Sequence, residues 1–170
     1  MKLILNKVKP FSINNAYYKQ TFTMTRECRQ WRFTVIKALS SQNNLTEITK
    51  FRESFNPKLH GIALSLKFII PHDWFYTQEG EVSLRSMDLS NVEKLLIDIL
   101  FDKRFTERRE LANLNINDKA IIHLDSQKHP GNSWKIIIEA KLIELKDNVC
   151  KKKAEPDPEI LHLLKKNISA

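Results

Sequence analysis

Asp88, Ser90, Glu93 and Lys94 sit close together in mid-chain, and Asp118 follows some distance on. These are residue types that phosphate chemistry uses. Ser90 with Glu93 three residues later reads as a capping box before an apolar run, so a helix is expected to begin just after Ser90. Asp88 then stands immediately before the helix, beside unpaired backbone N–H groups, with Lys94 about one turn inside. An acid held there is well placed to bind a cation shared with a phosphate, and the lysine to neutralise phosphate charge. Taken alone, Asp88 is also explained as a helix-start acid favoured by the helix dipole.

Asp118 precedes a β-like run from Ala120 to Leu124. The order acid, helix, loop, acid, strand is expected to bring Asp88 and Asp118 together at one edge of a sheet. Magnesium takes oxygen ligands and often needs only one or two carboxylates, so this pair meets the minimum. Asp98 lies nearly three turns into the helix, about 15 Å along its axis at 1.5 Å per residue, too far to share the ion. It is expected to pair with Lys94, four residues before it, or with a neighbouring strand.

The elements that must position these residues follow from periodicity. Lys2 to Val8 alternates toward β, and Pro10 stops it. Asn14, Asn15, Tyr17 and Tyr18 form a polar loop that could donate to phosphates and stack on bases, or simply supply turn chemistry. Thr25 caps a helix with Cys28, Trp31, Val35, Ile36 and Leu39 inside. Ser40 to Asn44 reads as a polar break, and Thr46 to Phe55 as a short helix or helical loop. His60 to Ile70 is the clearest strand. A long connection carrying Trp74, Phe75 and Tyr76 leads to the helix at 88, whose stripe is Val92, Leu95, Leu96, Ile99 and Leu100. Arg104 to Glu110, dense in both charges, reads as a surface segment. Ala120 to Asp125 and Trp134 to Leu145 are strands expected to pair as a hairpin around Pro130-Gly131. The fold class expected is α/β (α+β): a mixed sheet flanked by helices in the order β-α-β-α-β-β. Residues 1–146 make one domain, followed over 147–170 by a charged, proline-broken linker and a short amphipathic helical tail.

At 170 residues with 42% hydrophobic content, the chain can bury a proper core. A formal charge of +8 favours a polyanionic partner. Three glycines, Gly61, Gly80 and Gly131, are too scattered for a glycine-rich phosphate loop. Cys28 and Cys150 form no ligand motif. No stretch is long enough for a membrane span, and the start has no signal-peptide character, so a cytoplasmic location is expected.

Asp88, Asn91, Lys94, Asp98 and Leu100, then Ile116-Asn117-Asp118, resemble the RusA-type Holliday-junction resolvases. The start, Pro10 to Tyr18, is similar to that family's N-terminal loop, and Lys128-His129-Pro130 to its Lys-x-Pro. The likeness runs over roughly residues 2–146. It departs at Ser90 and Asn117, where the family has acids. The resemblance implies a magnesium-dependent homodimer that nicks four-way DNA junctions. It implies Asp88, Asp118 and Lys94 as catalytic residues, and Asp88 and Asp118 as ligands of Mg2+, with Ser90 reaching the ion through water. Asn14, Asn15, Tyr17, Asn91 and Lys128 would contact branched DNA. Because two acids are replaced, a junction-binding protein without cleavage activity is the alternative expectation. A basic protein unrelated to DNA is a third.

Overall fold

Four strands and four helices account for most of the computed structural model, which describes residues 1–18, 23–83, 88–101 and 112–145. In chain order they are β1 (Lys2–Asn6), α1 (Arg26–Leu39), α2 (Gln42–Ser54), β2 (His60–Pro71), α3 (His72–Phe75), α4 (Leu89–Phe101), β3 (Ile121–Gly131) and β4 (Lys135–Glu144). The α+β architecture is the expected one. The segments at 104–110 and 147–170 lie outside the described residues, as does Cys150.

The sheet order is β1-β4-β2-β3. β4 runs antiparallel to both β1 and β2, whereas β3 runs parallel to β2. The expected β3–β4 hairpin is therefore wrong: β2 lies between the two strands. The physical reason is burial. Ile136, Ile138 and Ala140 on β4 are fully buried and need a central position. β3 carries His123, Asp125 and Gln127 on the opposite face and suits an edge, where charged and polar side chains discourage further pairing.

One face of the sheet is covered. Leu3 and Leu5 from β1, Ile62, Leu64, Leu66 and Phe68 from β2, and Ile136 and Ile138 from β4 pack under the helices as one core. α1, α2 and α4 each add a stripe at helical spacing: Val35 and Leu39, Ile48 and Phe51, and Val92, Leu96, Ile99 and Leu100. Thr25 caps α1 as expected, its Oγ1 accepting from the Cys28 N–H at 3.2 Å. The expected polar break at 40–44 is shorter than the sequence suggests, because α2 already starts at Gln42. Asn44 inside α2 is buried and pins that helix to the β1 edge. Its amide donates to the Ile4 and Ala38 carbonyls at 3.2 and 3.0 Å, and its Oδ1 accepts from the Ile4 N–H at 3.3 Å. That contact occupies part of an otherwise free strand edge. The other face of the sheet is polar, and Glu139 there bridges Lys2 at 3.0 Å and Lys67 at 3.7 Å.

The parallel connection from β2 through α4 to β3 decides where everything else lies. A parallel crossover must return the chain to the start of the sheet before the next strand begins. α4 therefore starts at the end where β2 finishes, and ends where β3 starts. Asn113 secures the far end: its Nδ2 donates to the Ile99 carbonyl at 2.7 Å, and the Leu114 N–H donates to the Leu100 carbonyl at 2.8 Å.

Candidate functional site at the carboxyl ends of the strands

Asp88, not Ser90, caps α4. Its Oδ1 accepts from the Ser90 N–H at 3.2 Å and from the Ser90 hydroxyl at 3.0 Å, and its Oδ2 accepts from the Asn91 amide at 3.3 Å. The helix begins two residues before the expected point, at Leu89. A carboxylate two residues before an N–H is as good a cap as a hydroxyl, and Asp88 takes the place assigned to Ser90. The Asp88 carboxylate stays exposed at the helix mouth, with Ser90 and Asn91 directly upon it.

Glu93 does not close a capping box. Its Oε2 accepts from the Ser126 hydroxyl at 2.5 Å, tying the first turns of α4 to the middle of β3. Ser126→Ala leaves this partly buried carboxylate without its donor, and a hydrogen bond to a charged group contributes about 1.5–3 kcal/mol. Urea unfolding should therefore show Ser126→Ala less stable than wild type, with Ser126→Thr close to it. An unchanged midpoint for Ser126→Ala would mean the contact contributes nothing. Lys128, two residues further along β3, lies on the same face as Ser126 and nearer the start of α4.

Lys94 bonds to Asp98 at 3.2 Å, as the spacing predicts. That draws its ammonium toward the C-terminal turns, away from Asp88, so it does not face the capping carboxylate. The Asn14–Tyr17 loop packs beside this stretch of α4. Ile13–Asn15 form a single 3₁₀ turn, with the Ser12 hydroxyl accepting from the Asn14 N–H at 3.3 Å, and Asn14 and Asn15 are exposed. Ala16 packs with Cys28 and Leu95, and Tyr17 lies against them. Burial pushes the Tyr17 phenol above its usual range, with Cys28 and Asp98 adding to it and Lys94 and Arg32 opposing. Tyr17 is thus a hydrogen-bond donor at neutral pH. Burial also pushes the Cys28 thiol up, only partly offset by Arg32 and Arg29, which disfavours the thiolate.

Asp118 lies elsewhere. It opens a 3₁₀ turn, Asp118–Ala120, capped by the Asn117 side chain, which accepts from the Lys119 N–H at 2.9 Å. That turn precedes β3, at the end of the sheet where α4 finishes. Ser126, opposite Glu93, is about 16 Å of extended strand beyond Ile121. Asp88 is about 7 Å further along the helix axis in the same direction. The two carboxylates are therefore on the order of 20 Å apart in one chain, from strand and helix rise. This corrects the expectation that they meet at one edge of the sheet, and the parallel crossover is the cause. Among the described residues, no three of His, Cys, Asp and Glu come together in a group that could hold a metal ion. Asp88 and Asp118 are both exposed, but at this separation they cannot hold one magnesium ion between them within a single chain.

What does gather at the carboxyl ends of β1, β2 and β3 is Asp88, Ser90, Asn91, Lys128 and, on the far side, Lys9 with Trp74 and Trp134. The last two partners were not legible as a pair, because they come from distant segments joined only by the sheet. Among the described residues, no helix is long and apolar enough to cross a membrane. Compared with protein-family models and with curated proteins, the chain matches none.

Proposed function

We propose that this chain acts on branched DNA in the cytoplasm as a homodimeric, metal-dependent endonuclease that nicks four-way junctions. The observation that carries this reading is the exposed Asp88 carboxylate bonded to Asn91 at the start of α4, at the end of the sheet toward which Lys128 lies on β3. These are residues on which the likeness to the RusA-type resolvases rests, and an excess of positive charge accompanies them. Oxygen and amide groups at a helix start suit contacts to a phosphate or its counter-ion. Asn14, Asn15 and Tyr17 line the adjoining face of α4, where polar side chains and a phenol donor can reach a strand. The likeness pairs Asp88 with a second carboxylate at Asp118, which in the same chain is too far away to share an ion with it. Two-fold pairing of protomers is the arrangement that would bring Asp88 to the partner subunit's Asp118.

A second reading, junction binding without cleavage, is favoured by one observation: the separation of Asp88 from Asp118 within the chain. Titrating a synthetic four-way junction and a linear duplex, with and without magnesium, separates the two. Endonuclease function predicts magnesium-dependent paired nicks in the junction. The binding-only reading predicts tighter binding to the junction than to the duplex and no nicks. Neutralising about five phosphates gives a log–log salt slope near −4.5, so binding of either kind should weaken steeply with salt. A flat salt response with no junction preference would remove both.

A further inference from the structure

Beyond the ends of β1 and β2 and before β4 stands an aromatic group that neither the core nor the Asp88 cap uses. Lys9 Nζ lies 4.1 Å from the centroid of the Trp74 ring and 5.3 Å from that of Trp134. The two indoles meet edge to face at 5.8 Å and 61°. On the same short helix, His72 stacks on Tyr76 with centroids 6.1 Å apart. Trp74 is 42% exposed and Tyr76 36% exposed.

The group is held firmly from below. Phe75, between Trp74 and Tyr76, is buried, which fixes α3 to the sheet. The Lys7 N–H donates to the Trp134 carbonyl at 2.8 Å, which fixes the start of β4 to the end of β1. Trp31 Nε1 donates to the Lys9 carbonyl at 2.7 Å and holds the backbone under the lysine. Three separate segments thus converge on one surface with their backbones anchored, Lys9, Trp74 and Tyr76 exposed on it and Trp134 half-buried.

An indole in water forfeits the gain of burial, so a cluster of rings left exposed marks a surface that something covers. Charge indicates what. Lys7, Lys9 and Lys135 stand on these segments with one acid, Asp73, while Glu79 and Glu81 lie in the turn that follows Tyr76. Aromatic faces beside lysines match the two parts of a nucleotide, a base that stacks and a phosphate that needs a cation. Open sheets commonly take ligands beyond the carboxyl ends of their parallel strands, and β1 and β2 end here.

We propose that Trp74 and Trp134, with Lys9 between them, form a stacking platform for one unpaired nucleobase of a DNA strand, its phosphate going to Lys7 or Lys9. This rests on the nucleic-acid reading above but not on cleavage. Base stacking on an aromatic side chain contributes enough that its removal weakens binding about tenfold. The 170-residue chain is titrated with oligothymidine, with an abasic strand of the same length and with a four-way junction.

Wild type should bind oligothymidine about tenfold more tightly than the abasic strand, since only the base differs. Trp74→Ala should lose that discrimination, and Trp74→Phe, which keeps a ring, should retain most of it. Equal binding of the two strands by wild type, with junction binding intact, overturns the platform and leaves the nucleic-acid reading standing. No binding to any of the three DNAs overturns both. Discrimination that survives in Trp74→Ala places the base elsewhere and overturns the platform, as does a change in oligomeric state of that variant, which makes the rings a subunit contact.

Discussion

Asp88→Asn should lower junction nicking by about a thousandfold or more while leaving junction binding nearly intact, several kcal/mol of transition-state stabilisation being lost with the charge. Asparagine is the informative substitution because it caps a helix about as well as aspartate. The Ser90 N–H and hydroxyl contacts to Oδ1 can persist, so a loss of rate is not a loss of fold. Single-turnover nicking of a labelled junction, alongside a binding titration, measures both quantities. Nicking within a few-fold of wild type would remove Asp88 from any cleaving centre.

The same experiment reaches the question that the separation of Asp88 from Asp118 opens. If each centre is shared between protomers, Asp118→Asn is as inactive as Asp88→Asn, but the two variants complement one another when mixed. Random exchange of two-fold dimers makes half of them mixed, and each mixed dimer has one intact centre, so about a quarter of the centres recover. If both variants are inactive and the mixture stays inactive, the shared centre is excluded. If wild type itself never nicks, the protein binds junctions without cutting them.

How far the sequence could be read depends on which kind of information each feature needs. The strand at His60–Pro71 and the stripe of α4 are local patterns with a single solution, and both stand where periodicity puts them. Thr25 is a local cap and behaves as one. The Ser90–Glu93 box is also local, yet it fails, because Asp88 competes for the same N–H and Ser126 competes for Glu93. Tertiary partners of that sort leave no mark on spacing. The larger miss is strand order. A short, turn-rich connection between β3 and β4 looks like a hairpin. What overrides it is the burial of Ile136, Ile138 and Ala140, which puts β4 in the interior of the sheet. Once β3 is parallel to β2, the ends of α4 lie at opposite ends of the sheet and the two acids must part. Nothing local ties Lys9 or Trp134 to Trp74, since the fold alone brings the three together.

Phe68→Ala should destabilise the chain by about 3–5 kcal/mol, a large share of the roughly 5–15 kcal/mol typical of a folded domain. Phe68 is 1% exposed on β2, flanked in register by Ile136 of β4 and Lys128 of β3. Truncation removes most of a ring from the middle of a sheet held on both sides, where neighbours cannot easily close the gap, so a cavity term adds to the lost transfer energy. The effect should reach the functional end as well. Phe68 lies four residues before α3, which carries Trp74, and its strand neighbour Lys128 lies two residues beyond Ser126, which bonds to Glu93 of α4. In urea, the midpoint should fall with little change in slope, as expected when stability changes and the surface exposed on unfolding does not. Phe68→Leu, which refills most of the space, should lose distinctly less. A Phe68→Ala midpoint close to wild type would mean that the helical layer can collapse onto the sheet, and that β2 is not the rigid support on which both the Asp88 cap and the Trp74 surface depend.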